Sequence, residues 1–98
     1  MSKVINEKEF KELVIDSKDE VFVDFYADWC GPCKMLSPIM DDISTKAKVY
    51  KVNVDDEDDL AREYGVLSIP CVVAFKEGKE VNRSIGLRSK DDILDLMK

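Results

Sequence analysis

Histidine is absent from this 98-residue chain, and its absence excludes a good deal. Without an imidazole a Cys–His hydrolase is excluded, and most zinc and haem sites lose their usual nitrogen ligand. Cysteine is scarce, at three, an odd number and too few for the disulfide framework of a small secreted domain. Glycine and proline number only four and three, which argues against fibrous and low-complexity disordered chains. Long apolar runs are missing as well. The longest, around Val21–Ala27 and Ile69–Phe75, fall far short of the roughly 20 residues needed to span a bilayer as a helix. Positive charge is also in deficit: 15 basic against 21 acidic residues leave a net charge of −6. That is the wrong sign for neutralising phosphates, so no nucleic-acid partner is expected. The segment Met1-Ser2-Lys3-Val4-Ile5 lacks the apolar core of a secretion signal, and the expectation is a cytoplasmic protein without a membrane partner.

What is present reads as one globular domain over residues 1–98, with 45% apolar and 37% charged residues. A chain of this length buries roughly two-thirds of the surface it exposes when unfolded, enough for a single core. Val4-Ile5 suggests a short strand. Asn6 with Glu9 forms a capping-box pattern, and Phe10, Leu13 and Val14 recur at helical spacing, predicting a helix over Glu7–Ile15. Val21–Ala27 is β-branched and aromatic, as a central strand requires. Met35, Leu36, Ile39, Met40 and Ile43 mark a helix from Gly31 to about Lys46, bent at Pro38. A strand over Val49–Val54 and a short helix over Asp59–Tyr64, stopped at Gly65, follow. Cys71–Lys76, Glu77-Gly78 and Glu80–Ile85 read as a hairpin, and Ser89 caps a last helix containing Ile93, Leu94, Leu96 and Met97. The order βαβαβαββα predicts an α/β fold with parallel strands first, an antiparallel edge last and helices on both faces.

Trp29-Cys30-Gly31-Pro32-Cys33 lies where a strand gives way to a helix. There the unpaired N–H groups of the first turn and the positive end of the helix dipole favour an anion at Cys30. Pro32 fits the first turn, where its missing N–H has no helical partner to lose. Two intervening residues set Cys33 about one turn from Cys30, within disulfide reach. An exposed Cys30 would attack a substrate disulfide, and Cys33, further inside, would resolve the mixed disulfide. The competing reading of a CxxC is half a zinc site, which needs a second pair that this chain lacks. Asp24 interrupts an apolar strand; buried there unpaired, its carboxyl should have a raised pKa, and the competing reading, an acid facing water, is countered by apolar neighbours on both faces. The acidic run Asp55–Asp59 fails as a calcium loop, since Leu60 and Val66 stand where glycine and glutamate are required; it reads as acids at a helix N-terminus.

A CxxC in an intracellular chain near a βαβ pattern points to thioredoxin-like chemistry, and the whole chain resembles the thioredoxin family. The resemblance rests on Trp29–Lys34, on Val23-Asp24-Phe25-Tyr26-Ala27-Asp28 before it, on Gly65-Val66-Leu67-Ser68-Ile69-Pro70, and on Gly86. It implies a thioredoxin fold, a central mixed five-stranded sheet flanked by four helices. Asp24 would be the buried acid beneath Cys33, Lys51 its charged neighbour and Pro70 a cis-proline facing the cysteines. Trp29, Gly31, Pro32, Ile69, Pro70 and Gly86 would form the substrate surface. The implied activity is reduction of client-protein disulfides through Cys30 and Cys33, by a monomer re-reduced by a thioredoxin reductase, with no cofactor or metal. Gly-Pro between the cysteines favours a reductant by the same resemblance; an oxidase or isomerase and a metal-binding module remain as rivals. Taken alone, Lys51 reads as a solvent-facing strand lysine. Two departures from the family stand out: Tyr26 replaces a frequent tryptophan, and Cys71 replaces the threonine that usually follows the cis-proline. Cys71 reads either as an inert buried side chain or as a third thiol near the pair.

Overall fold

The computed structural model describes residues 2–98. The chain runs β1 (Lys3–Val4), α1 (Glu7–Phe10, continued by a π-helical turn over Lys11–Ile15), β2 (Glu20–Tyr26) and α2 (Gly31–Ile43). It then forms β3 (Lys48–Asn53), α3 (Asp58–Glu63), β4 (Cys71–Lys76), β5 (Lys79–Ile85) and α4 (Lys90–Leu94, closed by a 3-10 turn over Asp95–Met97). The expected order of elements is the observed one. The capping box at Asn6 and Glu9 forms, and Ser89 caps α4 through the Asp92 N–H. Pro38 lies inside α2, which continues past it.

The differences lie at the ends and have local causes. The first strand is Lys3–Val4; Ile5 is buried and still bonded to the Lys51 carbonyl, and the next residue, Asn6, already caps α1. After Phe10 the Asp16 N–H pairs five residues back with Lys11. This wider turn brings Leu13, Val14 and Ile15 all against one apolar layer. The second helix stops at Ile43, where the Ser44 and Thr45 hydroxyls bond to the Asp41 and Asp42 carbonyls and compete with helical pairing. Of the acidic run, only Asp58 and Asp59 occupy the first turn of α3. Glu77 and Gly78 both adopt positive φ (52° and 79°), as a two-residue hairpin turn requires. At Gly78 a Cβ would also run into the Ile15 carbonyl.

The five strands lie in the order β1-β3-β2-β4-β5. The β1–β3 and β3–β2 pairs are parallel, and the β2–β4 and β4–β5 pairs antiparallel. From β1 the chain crosses over β3 to reach β2, then steps back to β3. Right-handed crossovers in opposite directions put α1 and α2 on opposite faces. One apolar layer gathers Phe10, Val14, Val23, Phe25, Leu60 and Phe75 under α1 and α3; the other gathers Phe22, Leu36, Met40, Val72 and Ile93 under α2 and α4. Buried on both sides, β2 and β4 are nearly continuous runs of apolar residues, and the Asp24 carboxylate sits within one of them.

Candidate functional site

The site forms at the carboxyl end of β2, where the chain turns into α2. Cys30 is the N-cap of that helix and Cys33 lies in its first turn, with Pro32 between them. The two are joined as a disulfide with a Cα–Cα separation of 5.2 Å. The Cys33 N–H donates to Cys30 Sγ at 3.2 Å, so an unpaired donor of the first helical turn points at this sulfur. In the dithiol form such a donor and the helix dipole favour the thiolate at Cys30. The expectation of an exposed Cys30 needs correction. Cys30 is 5% exposed and Cys33 3%, because both pack with Ala27 against Tyr26, Val54 and Ile69. Helix position, rather than accessibility, distinguishes the two sulfurs.

Asp24 is fully buried on β2, between apolar neighbours along the strand and paired with Val72 across the β2–β4 ladder. Neither of its carboxylate oxygens has a hydrogen-bond partner. Burial pushes its pKa up to about 6, against the pull of the Lys51 charge. Lys51 stands in register with Asp24 on β3, half-buried rather than solvent-facing. It makes no direct ion pair with that carboxylate. Instead its ammonium donates to Ser37 Oγ at 3.1 Å and lies 4.4 Å from the centre of the Tyr26 ring. Tyr26, Cys33, Ser37 and Lys51 line one cleft of about 370 Å³. A larger groove, about 840 Å³ between α1 and α3, is lined by neither cysteine.

Around the disulfide, Trp29 is 70% exposed and its indole N–H donates to Asp55 Oδ2 at 2.9 Å. The Ile69–Pro70 peptide is cis, and the Ile69 carbonyl faces Cys30 Sγ at 3.9 Å. Gly86 has a φ of 89° and its N–H donates to the Pro70 carbonyl at 2.8 Å, tying the end of β5 to the proline loop. Gly31 and Pro32 are exposed at the helix start. Leu67 is 96% exposed at the tip of the same loop. The sequence marks neither Ser37 nor Asp55 as a residue of this site. The first looks like an ordinary exposed helix serine, the second like one of five consecutive acids.

Cys71 does not join the pair. It packs in the layer beneath α1 and α3 with Phe25 and Val73, whereas Cys30 and Cys33 form a separate cluster. It is 1% exposed, and burial pushes its thiol pKa up, with the Arg83 charge pulling the other way. That guanidinium is engaged by the Glu80 carboxylate and the Tyr64 carbonyl.

A buried disulfide at a helix N-terminus, with a cis-proline loop and an unpaired buried acid, is a dithiol–disulfide exchange arrangement. The comparisons with known proteins agree. The Thioredoxin family model matches residues 1–98. A thioredoxin of Rickettsia felis is 44% identical over 99 residues, covering 97% of this chain and 94% of that protein. One from Chlamydia caviae is 41% identical, covering 99% and 96% respectively. A solved mutant thioredoxin from Halobacterium salinarum superposes with a TM-score of 0.86 at 37% identity, over 98% of this chain and 90% of that one. The chain therefore belongs to the thioredoxin family of thiol–disulfide reductases.

Proposed function

We propose that the protein reduces client-protein disulfides in two steps with fixed roles for its cysteines. The Cys30 thiolate attacks one sulfur of the client disulfide, forming a Cys30–client bond as the client bond breaks, and the departing client sulfur takes up a proton. The Cys33 thiol then gives its proton to Asp24 and attacks Cys30 Sγ. The second client thiol leaves, and the Cys30–Cys33 disulfide remains. Two electrons have passed to the client, and a thioredoxin reductase returns them. What carries this reading is the first-turn N–H directed at Cys30 Sγ, which makes that sulfur the one best able to bear negative charge. An Asp24 carboxyl near pKa 6 supports the second role, because a base titrating near the working pH combines availability with affinity for the proton. Lys51 belongs to this machinery as the charge that keeps Asp24 from rising further.

Clients would dock on the surface formed by Trp29, Gly31, Pro32, Ile69, Pro70 and Gly86. The reading includes action as a monomer in the cytoplasm. Among the described residues no helix is long and apolar enough to cross a membrane. The test is reduction of insulin disulfides, first with dithiothreitol and then with a thioredoxin reductase as electron source, alongside metal analysis of the purified protein. Turnover with both donors and no bound metal is the expected result. A reduction potential well above that of a reductant would instead make the protein an oxidase or isomerase.

A further inference from the structure

The Lys51 ammonium has several places to go. Cys33, Ser37 and Asp41 follow one another at four-residue spacing on α2 and so share a helix face. Lys51 reaches toward that face from β3, and its charge acts on Asp41 as well as on Asp24. An ion pair with Asp41 would quench that charge and draw it away from the sheet. The structure holds it otherwise, between a hydroxyl at 3.1 Å and an aromatic face at 4.4 Å, and neither partner carries a counter-charge. We propose that Ser37 is a positioning residue of the dithiol reaction, whose hydroxyl, with the Tyr26 ring, fixes the Lys51 ammonium in the Cys33 cleft without neutralising it.

The field of the fixed charge then acts on Asp24. The Asp24 charge acts on Tyr26 on its own strand and on Cys71 on β4, packed against the opposite face of the sheet; the cleft that holds the Lys51 ammonium is also lined by Asp28, Cys33 and Lys34, and Asp41 lies one turn beyond Ser37 on α2. Lys51 is the cation that acts on Asp24. Without the Ser37 hydroxyl the ammonium is free to move toward Asp41 or into solvent, and the Asp24 proton becomes harder to remove. The kinetic consequence rests on the reading of Asp24 as the Cys33 proton acceptor.

The experiment follows the Asp24 side-chain carboxyl by carbon NMR in the oxidised protein and, separately, the pH profile of insulin reduction. Ser37 is partly exposed on a helix, and alanine is the better helix former, so Ser37→Ala should fold normally. In that variant the Asp24 midpoint, starting near 6, should rise by about half a unit or more. Reduction at pH 6 should slow about two- to fivefold, with little change at pH 8, as the unprotonated fraction falls. Ser37→Thr, which keeps the hydroxyl, should restore both. An Asp24 midpoint unmoved by Ser37→Ala overturns the proposal whatever the rates do. An Asp24→Asn variant with the parent pH profile would instead remove the proton-acceptor reading, and the NMR midpoint would still decide the role of Ser37.

Discussion

Cys30 and Cys71 are both buried, at 5% and 1% exposure, and yet their surroundings differ in kind. Cys30 ends an extended segment at a helix start, where the Cys33 N–H points at its sulfur. Cys71 lies on a strand whose backbone groups pair with β2 and β5, and its side chain faces Phe25 and Val73. Burial alone raises the pKa of a thiol, as it does for Cys71. Cys30 has something Cys71 lacks: oriented backbone polarity, a first-turn N–H donated to its sulfur and already in place because the helix is formed. On the proposed roles, thiol reactivity here turns on where a cysteine falls relative to a helix end, more than on how much of it water can touch.

The largest effects should come from the pair itself. Cys30→Ser is expected to reduce insulin turnover to background, and Cys33→Ser to accumulate stable mixed disulfides with clients, visible by mass spectrometry. Cys30 should also be alkylated first in the reduced protein, and at lower pH. First modification at Cys33 would reverse the roles. Next in size is Asp24→Asn, expected to slow exchange about a hundredfold, the low end of general-base contributions. Its stability effect has a definite sign. Asp24 binds its proton more tightly in the folded state, near 6, than at its ordinary value of 3.8. Between those values the native state keeps a proton that the unfolded chain has lost, so stability is greatest below the lower value and falls as pH rises through the upper one. The shift corresponds to about 2–3 kcal/mol lost by pH 8, and Asp24→Asn should recover about 1–3 kcal/mol of it there and almost none at pH 4. Thermal melts across pH would show this; lower stability at pH 8 and unchanged exchange would leave Asp24 without the role.

Much of this arrangement is legible in the sequence because it is local. A β-branched run followed by a CxxC and a helical apolar pattern fixes a strand, a turn and a helix start within about a dozen residues. Asp24 is conspicuous as the one charge inside that run. The face assigned to Cys71 is a different matter. It depends on the β2–β4 register, which pairs Phe25 with Cys71 and Asp24 with Val72. A one-residue slip would exchange the two faces. The burial of Cys30 likewise depends on the distant Ile69 loop, and the Ser37–Lys51 contact on how closely α2 approaches β3. None of these approaches leaves a periodic trace in the sequence.

Asp55 offers a smaller test of the same contrast, at the exposed side of the pair. Its carboxylate holds the indole of Trp29, the only tryptophan, so intrinsic fluorescence reads this contact directly. Asp55→Ala should alter the emission and raise the KM for insulin about two- to fivefold with little change in kcat, in line with one solvent-exposed hydrogen bond worth about 1 kcal/mol. An unchanged KM would separate the indole's orientation from client docking.

The smallest effect is expected at Cys71. Threonine has similar volume but adds a hydroxyl, and the Arg83 guanidinium, whose charge acts on the Cys71 thiol, is the polar neighbour that can meet it. The rest of the layer is apolar and already accommodates a side chain of this size. Cys71→Thr should therefore change stability by about 1 kcal/mol or less and leave insulin reduction at the parent rate. In the parent, Cys71 should resist thiol reagents under native conditions and react fully once unfolded, since burial keeps its thiol protonated. Thiol counting before and after denaturation measures this without any substitution. Rapid native labelling at Cys71, or an activity loss in Cys71→Thr with the fold intact, would show that a thiol on the far face of the sheet takes part in the exchange. The contrast with Cys30 would then be one of degree.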